Sequence, residues 1–173
     1  FIAEFNRPLK EGLYSDFEHK EELADLVRFK TTSPDVKEDE WTSFADYVSR
    51  MKSEQKAIYY ITGEDEKTLR QSPHLEVYRD KGFEVLIMPD EVDGIVIPAL
   101  GKYKEWELKA ANRAGSDSEL KSEDEKKEAE KKEKDFNPVL EKIKNVLGDK
   151  VKDVRFSNRL SDSPSCVVVD END

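Results

Sequence analysis

The 173-residue sequence carries 29 Lys+Arg against 40 Asp+Glu, a formal net charge of −11, with 40% charged and 36% apolar residues. So acidic a surface repels nucleic acid, and no basic aromatic stripe offsets it, which excludes nucleic-acid binding. No run approaches the roughly 18–20 apolar residues of a membrane span, and the single cysteine, Cys166, excludes an intramolecular disulfide and fits a reducing cytosol.

The chain opens at Phe1 inside an apolar-periodic segment, with no Met and no capping residue ahead of it, as expected of an internal piece of a longer protein. Phe1, Ile2, Phe5 and Leu9 recur at helical spacing. Pro8 is expected to kink or break this helix and Gly12 to end it. Asp16 is a plausible N-cap for a second helix with the stripe Leu23, Leu26, Val27 and Phe29. The Thr31–Glu40 stretch, with Pro34 and several charges, reads as an exposed loop. Ser43 then caps a third helix, with Asp46 in the capping-box position and the stripe Phe44, Tyr47, Val48 and Met51.

From Ala57 the pattern changes. Ala57–Thr62 is a nearly continuous apolar run, β-branched and aromatic, as in a strand buried on both faces of a parallel sheet. Ser72-Pro73 starts a helix that Gly82 stops, and Phe83–Met88 is a second strand, so the three make a βαβ unit. A short helix over 92–100 and a strand over 106–109 follow. Between Ser116 and Asp135 the only large apolar residue is Leu120. Ser122–Glu125 forms another capping box, and Glu123/Lys127, Glu128/Lys132 and Glu130/Lys134 are i,i+4 pairs of a solvated helix. Phe136, Val139, Leu140, Ile143, Val146 and Leu147 then define an amphipathic helix ended by Gly148. Val151–Phe156 and Cys166–Val169 read as strands of an unfinished second core, with Cys166 as a small buried apolar residue.

The expected fold class is therefore α/β (α+β). A helical connector (1–52) precedes a small αβα sandwich with its βαβ unit (53–112). A charged linker and solvated helix (113–135) follow, then a partial second α+β domain (136–173).

The search for chemistry is mostly negative. His19 and His74 have no metal-ligand spacing to other His or Cys. No local Ser-His-Asp, Cys-His, G-x-G-x-x-G or P-loop pattern occurs. No catalytic, cofactor-binding or metal residue is assigned. Thr62-Gly63 lies at the carboxyl end of the first strand, where open α/β sheets bind ligands. Glu64, Asp65 and Glu66 would repel a phosphate there. A small-ligand enzyme using that crevice is the alternative reading, and a passive spacer is a third. Trp41 and Trp106 are expected at core edges.

Several strings resemble the heat-shock protein 90 family, in its bacterial form. They include Leu9-Lys10-Glu11-Gly12, Tyr47-Val48-Ser49-Arg50-Met51-Lys52, Ile58-Tyr59-Tyr60-Ile61-Thr62-Gly63 and Ser72-Pro73-His74-Leu75-Glu76. Lys81-Gly82-Phe83-Glu84-Val85-Leu86, Leu147–Arg155 and Arg159-Leu160-Ser161-Asp162-Ser163-Pro164 continue them in order. The resemblance implies the end of a middle domain and the start of a C-terminal domain of an ATP-dependent, cytoplasmic, homodimeric chaperone. ATP and Mg would be held by the full-length protein, outside this chain, so the fragment itself is not expected to be an enzyme. Its partners would be non-native client proteins and co-chaperones. Members of the family usually carry Ile-Asp-Glu and an aromatic on a client-contacting helix. Here Val92-Asp93-Gly94-Ile95 stands in that place, with Pro98 following. The client-binding residues carried over are Asp93, Gly94, Ile95 and Leu100.

Overall fold

Ile58–Thr62 (β2) forms the centre of the molecule, because its side chains are apolar on both faces and it has a parallel neighbour on each side. A computed structural model gives the fold and describes residues 1–113, 120, 123–157 and 160–168, with the backbone alone over 123–131. The helices are Ile2–Ser15 (α1), Lys20–Leu26 (α2), Phe44–Arg50 (α3), Glu66–Arg70 (α4), Glu76–Lys81 (α5), Asp93–Leu100 (α6) and Glu123–Leu147 (α7). The other strands are Lys30–Thr31 (β1), Leu86–Met88 (β3), Lys102–Tyr103 (β4) and Trp106–Ala110 (β5). The five strands make one mixed sheet, ordered β1-β3-β2-β5-β4, with both outer pairs antiparallel.

Alternation along β2 builds two cores. Ile58 and Tyr60 face a layer of α1, α2, α3 and α6, where Leu13, Ala24, Phe44, Tyr47, Val96 and Ile97 are buried. Tyr59 and Ile61 face α4 and α5, where Leu69, Val77 and Tyr78 are buried, joined by Leu120 from the charged stretch. The βαβ unit and the capping box are as the sequence indicates: Asp46 N–H donates to Ser43 Oγ at 3.1 Å, and Ser43 N–H returns a bond to Asp46.

Other expectations are corrected. Helix α1 runs unbroken through Pro8 and Gly12. Pro8 lies on the exposed face, so the carbonyl it leaves unpaired turns towards water. Gly12 serves close packing, since a Cβ there would sit 3.1 Å from Leu23 Cδ1. Asp16 does not cap α2 directly. It follows the end of α1, and its carboxylate accepts the main-chain N–H groups of Glu18 and His19, ahead of a helix that starts at Lys20. Leu26 is half exposed, whereas Val27 and Phe29, beyond the helix end, are buried. Arg28 places its guanidinium on the carbonyls of Asp25, Leu26 and Val27, closing α2.

The stretch read as an exposed loop begins instead with β1. Lys30 and Thr31 are buried there because Lys30 reaches the carbonyls of Glu38 and Glu40, and Thr31 donates to Glu84. Helix α7 is continuous across Pro138, so solvated and amphipathic segments share one helix. Its stripe is largely uncovered, with Phe136, Val139, Ile143 and Val146 exposed. No strand forms over 151–156 or over the described part of 166–169, and Cys166 is half-buried rather than buried. Ser122 and Val169 lie outside the described residues, as do the side chains of Glu123, Lys127, Glu128 and Glu130. Trp106 packs at a core edge, whereas Trp41 is 42% exposed beneath the Lys30 ammonium.

Tyr47 ties α3 to the sheet. Its buried hydroxyl donates to the Glu84 carbonyl at 2.7 Å and accepts from Gln55 Nε2 at 2.6 Å and from Tyr59 N–H at 3.0 Å. Burial pushes the phenol far above its ordinary range. Tyr47→Phe strips the acceptor from two buried donors and is expected to cost about 2 kcal/mol. Urea unfolding should show a lower midpoint with an unchanged m-value.

Candidate functional site

Eight residues, Asp93–Leu100, make α6, and its two faces have opposite character. Asp93, Val96 and Ile97 point inward and are buried, and Leu100 packs partly buried against the first core. Gly94, Ile95, Pro98 and Ala99 point outward and are exposed, following the i, i+1, i+4, i+5 pattern of one helix side. The outer face therefore has no charge, on a chain where 40% of residues are charged. Ile95 is 63% exposed, and a Cβ on Gly94 would meet nothing within 4 Å.

Asp93 fixes this helix. Its side chain is fully buried and lies 2.8 Å from the ammonium of Lys10, a residue of α1 that is itself 1% exposed. Asp90 takes the same ammonium at 2.6 Å, and Asp90 N–H donates to Asp93 Oδ2 at 3.2 Å. The Phe29 ring stands 5.1 Å from the ammonium. Burial pushes the Asp93 carboxyl up, and the neighbouring Lys10 works against that shift. Lys20 donates from α2 to the Ala99 carbonyl at 2.9 Å and steadies the far end of α6. One turn earlier on the same face of α1, Asn6 pairs both its amide atoms with the main chain of Arg28 at 2.8 and 2.9 Å. Helix α1 is thereby held to α6 by charge and to the chain just past α2 by an amide.

The four carried-over residues thus divide. Gly94 and Ile95 are exposed, whereas Asp93 is committed to Lys10 and Leu100 packs against the core. Pro98 and Ala99 complete the outer face. Their spacing from Gly94 and Ile95 was the signal for them in the sequence. The strand-end crevice near Gly63 is differently occupied. A Cβ on Gly63 would lie 2.8 Å from Leu69 Cδ2, and Asp65 caps α4 by accepting from Thr68 N–H at 2.7 Å. Close packing of α4 accounts for that glycine.

Removing Lys10 leaves a buried carboxylate uncompensated, and Lys10→Met is expected to cost about 3–5 kcal/mol. Adding Asp93→Leu should recover most of that loss, because apolar replacements of buried pairs are close to neutral. Chemical denaturation of the two variants checks both outcomes.

A family model described as Hsp90 protein matches residues 1–173. The chain is 87% identical over 173 residues to a chaperone protein HtpG of Treponema denticola and 62% identical to one of Treponema pallidum. It is 49% identical over 174 aligned residues to one of Aliarcobacter butzleri. Each alignment takes in 100% of this chain and 27% of the relative, so the chain spans about a quarter of their length. A solved structure described as the middle domain of a putative heat shock protein of Plasmodium falciparum is similar with a TM-score of 0.58. That similarity is at 37% sequence identity and covers 64% of this chain and 45% of that one.

Proposed function

This chain belongs to the Hsp90 protein family, and from that premise we propose that it is the segment of an ATP-dependent chaperone that binds non-native client proteins and relays nucleotide-driven rearrangement. The outer face of α6 carries this reading: an uncharged, exposed patch around Gly94 and Ile95, on a helix fixed by the buried Lys10–Asp93 pair. Exposed apolar surface on a rigid base suits the chemistry of a client, whose unfolded segments present apolar side chains without a fixed shape.

In this reading the chain divides into the layered α/β unit and the start of a further domain, with the charged stretch between them. The nucleotide and its Mg belong to the part of the longer relatives that this chain does not span, and so does ATP hydrolysis. The whole protein is a cytoplasmic homodimer working with co-chaperones. Among the described residues, no helix is long and apolar enough to cross a membrane.

The test is client affinity in the full-length protein, with a reduced and alkylated, permanently unfolded protein as the probe. Ile95→Glu replaces an exposed side chain, so its thermal midpoint should stay within about 1 °C of the parent while the client Kd rises about tenfold. Gly94→Glu with Ile95→Trp restores the acidic and aromatic pair that the family resemblance implies, and should tighten binding. An unchanged Kd for Ile95→Glu would remove α6 from the client site.

A further inference from the structure

We propose that the Glu76 carboxylate and the Ser161–Asp162–Ser163 turn form a releasable latch, holding the segment after α7 against the first turn of α5. Three successive main-chain N–H groups converge on one oxygen, Glu76 Oε2: Ser161 at 2.7 Å, Asp162 at 3.0 Å and Ser163 at 3.3 Å. The Ser163 hydroxyl donates to the other oxygen. Consecutive amides aimed at one point make a small anion-binding concavity, and here the anion comes from the same chain, 85–87 positions away. Glu76 is only 5% exposed, so its charge is compensated by these donors. The Ser163 hydroxyl, followed by the main-chain donors, holds the carboxyl down at about 2, so it is ionised throughout the physiological range and the latch is not a pH switch.

The latch is built to be releasable. No described residue of 148–168 is fully buried, so the docked segment sinks no apolar side chain wholly into a core. When the turn lifts away, the carboxylate and its four donors all return to water, so opening leaves no polar group unsatisfied. The latch also has a fixed mechanical address. Glu76 opens α5, Gly82 closes it in the left-handed conformation at φ 63°, and the chain passes through β3 to Asp90 and Asp93 on Lys10. The segment after α7 and helix α1 are thereby tied to the two ends of one α–β passage. The proposal deepens the relay reading and rests on it only for what the latch transmits.

Native-state hydrogen exchange on the full-length protein tests it. Glu76→Gln keeps the shape and removes the charge. It is expected to speed exchange at the Ser161, Asp162 and Ser163 amides about tenfold or more, with the amides of β2 and β3 unchanged. Ser163→Glu sets a second carboxylate against Glu76 and should do the same. If Glu76→Gln also loosens β2 and β3, the Ser163 variant decides alone. Exchange within about twofold of the parent in Ser163→Glu, or in both variants when both stay folded, overturns the latch. Faster exchange together with unaltered nucleotide-dependent client release leaves the latch standing and removes the relay reading.

Discussion

An ammonium buried between two carboxylates is tolerable only while all three groups stay together. Lys10, Asp90 and Asp93 meet that condition, with Lys10 and Asp93 almost wholly shielded from water. Separating α1 from α6 would leave an isolated charge in apolar surroundings, which costs far more than the lost contact area. The pair therefore makes the helix layer behave as one body. Hydrophobic packing of Leu13, Val96 and Ile97 would hold these helices together without fixing their register, because apolar contact is non-directional. The ion pair supplies direction and sets which side of α6 looks outward.

The rest of the molecule follows the same division between apolar bulk and a few directional polar ties. Tyr47 connects α3 to β2 and to the chain just ahead of β3 through one oxygen, and Arg50 grips Glu84 with two nitrogens at 2.7 and 3.0 Å. Asn6 copies a strand-like pairing with Arg28. Each tie joins elements distant in the chain, and each sits at the border of a core. These ties oppose independent sliding of the elements they join.

What the sequence discloses is what is local. The β2 run, the Ser43–Asp46 box, the Gly82 stop and α6 in spite of Pro98 rest on neighbours within a few positions. What it hides is decided at long range. Thr31 reads as the start of a loop, and the burial of Lys30 and Thr31 rests on polar partners at Glu38, Glu40 and Glu84, which no periodicity reveals. Pro8 and Gly12 are local helix breakers, overridden by an exposed position and by a close helix contact. The candidate site shows the same limit. Asp93 reads as a surface acid until its partner, 83 positions earlier, is brought beside it. Ile95 and Gly94 could be placed on the open face only after Asp93 had fixed the opposite one.

The continuity of α7 has a consequence in distance. Its 25 residues, at the usual helical rise, span about 37 Å. A rotation of about 10° at one end carries the other through roughly 6 Å, more than the width of a side chain. Residues 132–139 are exposed all round, so packing does little to bend the rod there. In the proposed relay, an angular change too small to disturb the sheet's hydrogen bonds would arrive at the far end as a stroke, with the length of the helix setting its gain.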